Sequence, residues 1–226
     1  MTEIPPSQKK KILIVEDHPI FRAMLVQLID RDLGMEVCGE ADSTPAALAA
    51  IEKTPPDAAV IDLTLRDSSG LELIKELRAH GQKFPVLVLS MHEENLYAQR
   101  VLSAGAQGYI SKHEAPTTVV EAIRKVLTGG IYVSGSMTAN LLQKLTHSGH
   151  ETKPADIDSL SDREIEVFEM IGRGMDLREV GRQLELGYAT IQTYRGRIRE
   201  KLRLKNSAEL YQRAALWAAE RGGSTV

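Results

Sequence analysis

The clearest indication of the fold of this chain is the stretch Lys11-Ile-Leu-Ile-Val-Glu-Asp17, in which a short apolar run ends abruptly in two acids. Three later apolar runs also end at a polar residue: the first at Asp62, the second at Ser90 and the third just before Lys112. Short runs that are apolar throughout are typical of strands buried on both faces of a parallel sheet.

The polar residues at these four strand ends are expected to meet. In an open parallel α/β sheet, the carboxyl ends of neighbouring strands line one crevice. The set consists of three acids, one hydroxyl and one cation, namely Glu16, Asp17, Asp62, Ser90 and Lys112. A single Asp after a strand is often only a helix cap or a loop residue, so the inference rests on their joint occurrence. Together they indicate a metal-assisted phosphoryl site.

The acids fit a magnesium site. Mg²⁺ prefers hard oxygen ligands and keeps several waters, so two or three carboxylates are sufficient. Glu16, Asp17 and Asp62 supply these carboxylates, and a backbone carbonyl near Thr64 would complete the ligand set.

The same residues fit phosphoryl transfer to a carboxylate. A carboxylate can accept a phosphoryl group when a metal and a cation neutralise the charge on the phosphoryl oxygens. Asp62 and Lys112 fit the roles of nucleophile and cation, and Ser90 can donate a hydrogen bond to a phosphoryl oxygen.

The pattern up to about residue 130 predicts five βα units, and hence an α/β domain with a five-stranded, doubly wound parallel sheet. Strands are predicted near 11–16, 35–40, 57–62, 85–90 and 108–111. Helices are predicted near 19–32, 44–53, 70–80, 93–104 and 116–128.

The chain length of 226 residues favours two domains. Residues 1–10 are interpreted as a tail, 11–130 as the first domain and 159–226 as the second. Residues 131–158 are interpreted as a linker, with a short helix near 137–145, because 147–158 is polar and has no apolar period.

Several features indicate a cytoplasmic protein. The single cysteine, Cys38, excludes an internal disulfide and a cysteine zinc cluster, and its apolar surroundings favour a core position. Only four apolar residues separate Lys11 from Glu16, too few for a signal peptide or a membrane helix. We expect no membrane partner.

From Ser161 the pattern becomes wholly helical. Ser161-Asp-Arg-Glu164 has the spacing of a capping box, in which two side chains satisfy free backbone donors. Helices are predicted over 162–172, 177–184, 188–203 and 207–221. Four short helices in so small a domain suit a DNA-binding helix-turn-helix.

The third of these helices has the character of a recognition helix. Ile191, Ile198 and Leu202 form one stripe that is expected to pack inward, with Tyr194 at its margin. Roughly opposite, or on the flanks, lie the residues predicted to contact DNA: Gln192, Thr193, Arg195, Arg197, Arg199 and Lys201. Gln can pair with adenine edges, Thr can touch a thymine methyl group, Arg can bind guanine and flanking cations can hold phosphates.

Charge supports an anionic partner for this helix. The chain has a net charge of −3 and a pI of about 6.1, which alone discourages a nucleic-acid partner. Residues 195–205, however, carry six basic residues against one acid, Glu200. The alternative is a basic face that is simply solvated.

The first domain resembles the receiver domains of two-component systems, which have a flavodoxin-like fold. The resemblance rests on Val15-Glu-Asp-His-Pro-Ile-Phe-Arg22, Asp62 with Gly70-Leu-Glu72, Leu89-Ser90 and Gly108-Tyr-Ile-Ser-Lys112. It implies that Asp62 is the phosphoacceptor, that Glu16 and Asp17 bind the metal, and that Lys112 is the phosphoryl counter-ion. It also implies a switch pair, Ser90 and Tyr109, in which the hydroxyl moves toward the phosphoryl group and the ring turns inward. The alternative for Tyr109 is a half-buried strand aromatic.

The second domain resembles the LuxR-type helix-turn-helix, through Leu160 to Val167, Val180 to Leu186, Thr190-Ile191 and Lys201-Leu202. Joined to a receiver, it is similar to the NarL/FixJ subfamily of response regulators. This resemblance implies phosphorylation by a cognate sensor histidine kinase and binding to double-stranded promoter DNA. It further implies a homodimer when phosphorylated, and RNA polymerase as a further partner.

The chain departs from both patterns at several positions. Arg66 and His113 stand where receivers often have proline. Four glycines in the second domain replace larger residues of the family: Gly172, Gly181, Gly187 and Gly196. Each interior glycine is expected to cost about 0.5–1 kcal/mol of helix stability.

Three functions are compatible with these features. The first is a cytoplasmic transcription regulator, not an enzyme, that is switched by aspartyl phosphorylation. The second is a phosphatase or phosphotransferase, which would need an acid two residues after the nucleophile, where this chain has Thr64. The third is a phospho-controlled protein-interaction adaptor with weak or no DNA binding.

Overall fold

The computed structural model describes residues 9–65, 68–91, 94–139 and 157–222. The chain forms two compact units, Met1–Ser148 and Gly149–Val226, which are described separately below.

The first unit is built on a five-stranded parallel sheet. Its strands are β1 (Lys10–Val15), β2 (Met35–Ala41), β3 (Ala58–Asp62), β4 (Val86–Ser90) and β5 (Gly108–Ser111). They are arranged in the order β2-β1-β3-β4-β5, and every neighbouring pair is parallel. The predicted doubly wound, flavodoxin-like α/β fold is therefore confirmed.

Five helices connect the strands: α1 (Pro19–Asp30), α2 (Thr44–Lys53), α3 (Gly70–Ala79), α4 (Glu94–Ser103) and α5 (Pro116–Leu127). Proline lies in the first turn of α1, α2 and α5. Its fixed backbone angle suits that position, and its missing N–H would have no partner there within the helix. All five helices and all five strands lie within two residues of their predicted bounds.

The core explains why the strands are apolar throughout. All residues of β3 and β4 are buried, as are the last four of β1. One side of the sheet packs against α1 and α5, through Leu25, Ile29, Ile123 and Val126 among others. Cys38 is half-buried rather than in the core, because it lies on the edge strand β2.

Two smaller features have no periodic pattern of apolar residues that would predict them from the sequence. Thr64–Leu65 and Ser68–Ser69 form a short antiparallel hairpin directly after β3. Tyr132 pairs with the edge strand β5: its N–H donates to the Gln107 carbonyl (2.9 Å), and its carbonyl accepts from the Tyr109 N–H (2.8 Å). Residues 135–139 are helical, and the remainder of the predicted short helix lies outside the described residues.

The second unit is helical throughout its described elements. After a 3₁₀ turn at Ile157–Ser159 come α6 (Asp162–Gly172), α7 (Leu177–Gln183), α8 (Tyr188–Lys201) and α9 (Ser207–Gly222). The predicted capping box is present, with reciprocal hydrogen bonds between Ser161 and Glu164. Asp176 caps α7 by accepting from the N–H groups of Arg178 (2.8 Å) and Glu179 (2.9 Å).

Two of the four unusual glycines are required by close packing. A Cβ on Gly172 would lie 2.5 Å from the Ala214 carbonyl oxygen of α9, and one on Gly181 would lie 2.8 Å from the Leu186 carbonyl oxygen. A Cβ on Gly196, by contrast, would meet no atom within 4 Å. Glycine lowers helix stability at these two positions, but it permits a close approach: Gly172 to α9, and Gly181 to the turn at Leu186.

Candidate functional site

The sheet brings the acids and the lysine of the first unit to one edge. Asp62 ends β3, Glu16 and Asp17 follow β1, and Lys112 follows β5. The register aligns these ends, since Val15 of β1 pairs with Ile61 of β3, one residue before Asp62. The convergence expected of the acids and the lysine, from three separate strand ends, therefore exists in the folded protein.

Lys112 bridges two buried carboxylates. Its Nζ lies 2.8 Å from Asp62 Oδ2 and 2.6 Å from Glu16 Oε2. The three side chains are each at most 7% exposed. The ammonium also lies 4.5 Å from the centroid of the Phe21 ring, which contributes a cation–π contact. The cation is thus held in place by oxygens and by an aromatic face.

Three carboxylates form a cluster that could hold a cation. Glu16, Asp17 and Asp62 each offer one oxygen, and these oxygens lie within 4.8 Å of one another. Glu16 and Asp62 are buried, whereas Asp17 is half-exposed and leaves the cluster open to solvent. Three carboxylates against one ammonium leave an excess of negative charge, and hard oxygen donors fit a divalent cation such as Mg²⁺.

The backbone around Asp62 is tightly packed. The Thr64 N–H donates to Asp62 Oδ1 at 3.3 Å, and the Gly70 N–H donates to the Leu63 carbonyl at 2.8 Å. A Cβ on Gly70 would lie 2.0 Å from the Asp62 carbonyl oxygen. Only glycine lets the start of α3 approach the Asp62 backbone this closely. The role of the Thr64 carbonyl as a metal ligand stays a prediction.

Burial and neighbouring charges shift the pKa values of Asp62 and Lys112. Burial raises the pKa of Asp62 to about 6; the Glu16 charge adds to this, and Lys112 and the Thr64 N–H oppose it. Burial alone would lower the pKa of Lys112, but the carboxylates of Asp62 and Glu16 outweigh it and the pKa is raised. Lys112 is therefore cationic at neutral pH. Ionisation of Asp62, by contrast, lowers the stability of the folded protein.

This raised pKa predicts a pH dependence of stability. In the unfolded chain the Asp62 carboxyl titrates near pH 4, so between about pH 4 and 6 the folded state binds more protons. The contribution of Asp62 to the free energy of unfolding therefore falls as pH rises through this window, by about 3 kcal/mol in all. We expect Asp62→Asn to raise the unfolding temperature of the metal-free protein at pH 7.5, with roughly half the gain in free energy at pH 5.

Calorimetry of the full chain in EDTA at the two pH values tests this prediction. Asp42→Asn is a matched control, since Asp42 is an exposed Asp after β2. An equal gain for Asp62→Asn at both pH values, or a loss at pH 7.5, would contradict a raised pKa.

The residues of the predicted switch pair are both fully buried. Ser90 ends β4 at 0% exposure, and its carbonyl accepts from the Lys112 N–H at 2.8 Å. Tyr109 in β5 is also 0% exposed, so it is more deeply buried than the half-buried strand aromatic of the alternative. Tyr109 pairs with Val88, two residues before Ser90, which places both side chains on the same face of the sheet. Their role as a switch stays a prediction.

In the second unit, α8 presents the predicted polar face. Ile191 and Ile198 are 0% exposed and Leu202 is 6% exposed, which confirms the inward stripe. Among the predicted DNA contacts, Thr193, Arg197, Arg199 and Lys201 are exposed, and Gln192 and Arg195 are half-buried. The Thr193 hydroxyl donates back to the Ala189 carbonyl at 3.0 Å.

Lys201 has a partner that the sequence did not indicate. Its Nζ lies 2.6 Å from Oε2 of Glu164, the buried capping-box acid of α6, which also accepts from the Ser161 N–H at 2.7 Å. Burial alone would raise the pKa of Glu164, but Lys201 and the Ser161 N–H outweigh it and the pKa is lowered. Lys201 therefore ties the end of α8 to the start of α6, in addition to its predicted contact with a phosphate.

Two further residues near α8, Tyr188 and Arg178, have contacts that the sequence alone does not indicate. The Gln192 Nε2 donates to the Tyr188 hydroxyl at 2.6 Å, and the Arg178 guanidinium lies 5.9 Å from the centroid of the Tyr188 ring. The spacing of Tyr188 and Gln192, four residues apart on one helix, was the available signal, because such residues are neighbours on a helix surface.

Comparison with known protein families identifies both units. The response regulator receiver domain family matches residues 12–124, and the family of bacterial regulatory proteins, luxR family, matches residues 158–214. The chain therefore belongs to the response regulators of two-component systems that carry a luxR-family DNA-binding domain. Within the residues that the structure describes, no helix is long and apolar enough to cross a membrane.

Individual relatives extend this similarity along most of the chain. A nitrate/nitrite response regulator protein homolog from Haemophilus influenzae is 32% identical over 198 residues, which cover 88% of this chain and 91% of the relative. Response regulator UvrY of Escherichia coli is 31% identical over 199 residues, covering 88% and 90%. RcsB from Salmonella enterica serovar Typhimurium, solved bound to promoter rprA with a phosphomimetic, shares the fold at 23% identity and a TM-score of 0.58; the match covers 92% of this chain and 99% of RcsB.

Proposed function

We propose that this response regulator is phosphorylated on Asp62 in a Mg²⁺-dependent reaction and then binds promoter DNA as a homodimer to control transcription. The observation that carries the proposal is the buried cluster in which Lys112 Nζ lies within 2.8 Å of carboxylate oxygens of both Asp62 and Glu16. The phosphoryl donor would be a cognate sensor histidine kinase, and RNA polymerase would be a further partner at the promoter, in the cytoplasm.

The chemistry follows from the two oxygens of Asp62. Each oxygen accepts one hydrogen bond, Oδ1 from the Thr64 N–H and Oδ2 from Lys112, so the carboxylate is held in one orientation. One oxygen would attack the phosphorus of the donor, and the bond from phosphorus to the leaving group would break. Lys112 is then close enough to offset the charge on the phosphoryl oxygens.

Mg²⁺ would be held by Glu16, Asp17 and Asp62, with the backbone carbonyl of Thr64 as a further ligand. When bound, it would supply charge neutralisation for the acids and for the incoming phosphoryl oxygens. The cluster oxygens within 4.8 Å of one another support this assignment.

We propose that the protein is a switch and not an enzyme with a separate substrate. The position two residues after Asp62 is Thr64, which has no carboxyl to act as a general acid or base for turnover. Ser90 and Tyr109 are proposed to convey the phosphorylated state, since both side chains lie on one face of the sheet next to the site.

The output domain is proposed to bind DNA through α8. Its inward stripe packs in the domain, and the proposed DNA contacts lie roughly opposite this stripe or on its flanks: Gln192, Thr193, Arg195, Arg197, Arg199 and Lys201. Selection of bound DNA from random fragments, with and without a phosphodonor, tests this proposal. Recovery of one preferred sequence motif supports promoter binding, and recovery of none would favour the adaptor alternative.

We expect the residues of this face to divide their roles. Gln192→Ala or Arg197→Ala should cost about 1–3 kcal/mol mainly on the preferred site, because both side chains can form paired hydrogen bonds with base edges. Arg199→Ala should weaken preferred and random duplex alike and lower the salt dependence by about one charge. Lys201→Ala should do the same, and should also destabilise the domain, since it leaves buried Glu164 without its cation.

Salt titrations on both duplexes measure these effects, with thermal unfolding as a check on Lys201→Ala. Arg173→Ala is a matched control. It also removes one arginine side chain, but Arg173 follows the end of α6 that packs against α9, and it is not among the predicted DNA contacts. Equal losses on both duplexes for Gln192→Ala and Arg197→Ala would remove their reading role. No loss from any of the four variants would favour the adaptor alternative.

A further inference from the structure

The first residue of α8 forms a hydrogen bond with a predicted base-reading residue. Tyr188 is 50% exposed, and its hydroxyl accepts from Nε2 of Gln192 at 2.6 Å. The two side chains lie one turn apart on the same side of the helix. The tyrosine is therefore part of the surface that α8 presents, although it carries no charge.

A cation from the preceding helix contacts the same ring. Arg178 is the second residue of α7, it is exposed, and its guanidinium lies 5.9 Å from the centroid of the Tyr188 ring. An arginine within about 6 Å of an aromatic centroid is attracted to the ring face. Tyr188 thus contacts residues of both helices of the helix-turn-helix: Arg178 lies near its ring and Gln192 donates to its hydroxyl.

This arrangement restricts the amide of Gln192. A free glutamine on a helix surface samples many rotamers, and ordering them opposes binding. With one amide N–H donated to Tyr188, Gln192 keeps its second N–H and its carbonyl oxygen for a partner. One donor beside one acceptor matches the major-groove edge of adenine, which presents N7 as an acceptor and N6 as a donor.

We infer that Tyr188, held by Arg178, is a positioning residue that orients the Gln192 amide to read an adenine. The inference rests on the proposed function, in which α8 enters the major groove of DNA. It adds that the preference for one base pair depends on a hydroxyl that acts through Gln192.

The test uses the phosphorylated full chain and the preferred duplex obtained by selection. The base pair read by Gln192 is the one at which Gln192→Ala loses preference, and a second duplex carries G·C in place of A·T there. Tyr188→Phe keeps the ring and its contact with Arg178 but removes the hydroxyl. We expect it to lower discrimination between the two duplexes by roughly two- to twelvefold, the effect of one hydrogen bond, with random-duplex affinity unchanged.

A double variant shows whether the hydroxyl acts through the amide. In the Gln192→Ala background, Tyr188→Phe should have no further effect on discrimination. Tyr211→Phe is the matched control, since Tyr211 is a partly exposed tyrosine of α9 and should leave discrimination unchanged.

Three results would overturn the inference: unchanged discrimination in Tyr188→Phe, an additive loss in the double variant, or a base other than adenine at the position read by Gln192. In each case the proposed function would stand as long as the wild type selects a motif. A wild type that selects no motif would overturn both.

Discussion

Asp62→Asn is expected to abolish stable phosphorylation of the full chain by a small phosphodonor in the presence of Mg²⁺. An amide cannot act as the nucleophile, and it offers no anionic oxygen to the metal cluster. The structure adds that the two oxygens of Asp62 are held by Lys112 and by the Thr64 N–H, so the variant replaces an oriented carboxylate.

Intact-mass measurement, together with hydroxylamine sensitivity of the label, measures this effect. Asp42→Asn serves as the control again and should be labelled as the wild type is. Acid-stable, hydroxylamine-sensitive labelling of Asp62→Asn at the wild-type yield would place the acceptor at another residue. Because the variant removes a buried anion, it should fold at least as well as the wild type, so loss of labelling would not reflect unfolding.

Lys112→Ala is expected to lower stability, since it leaves buried Asp62 and Glu16 without their cation, but to leave the protein folded and to uncouple phosphorylation from DNA binding. The Lys112 ammonium bridges Asp62 and Glu16, and its backbone N–H donates to the Ser90 carbonyl, so the residue joins the phosphoryl site to the end of β4. Without the ammonium, the phosphoryl charge no longer draws the loop after β5 toward it.

Labelling and promoter binding must therefore be measured on the same sample of this variant. Lys75→Ala, which truncates an exposed lysine of α3, is the matched control. If Lys112→Ala is labelled and its DNA affinity then rises by the same factor as that of the wild type, Lys112 is not the coupling group. Lys112→Arg, which keeps the charge, should restore part of the coupling.

Much of the first domain follows from local pattern. The strands are apolar runs buried on both faces, and once their ends lie at one edge, Glu16, Asp62 and Lys112 must converge. The hairpin at Thr64–Leu65 and Ser68–Ser69 is too short to show a period. The close approach of Gly70 to the Asp62 carbonyl depends on tertiary packing that no local pattern encodes.

In the second domain, too, some features follow from local sequence pattern and others only from tertiary packing. The inward stripe of α8 follows from helical period, and the capping box follows from the spacing of Ser161 and Glu164. The pairing of Lys201 with Glu164 joins residues 37 positions apart, so only the fold reveals that a predicted phosphate contact also holds two helices together. The tight contact of Gly172 with α9 is likewise visible only in the packed domain.

A phosphoryl group on Asp62 is expected to raise the affinity of the protein for promoter DNA. The most direct test is to titrate the selected duplex with full-length wild type and Asp62→Asn, each before and after treatment with a phosphodonor, with phosphoryl occupancy measured by intact mass in the same samples. We predict that wild-type affinity rises in proportion to occupancy, while Asp62→Asn is unchanged by the treatment. A wild type that carries the phosphoryl group on Asp62 and binds the duplex no more tightly than before would contradict the claim.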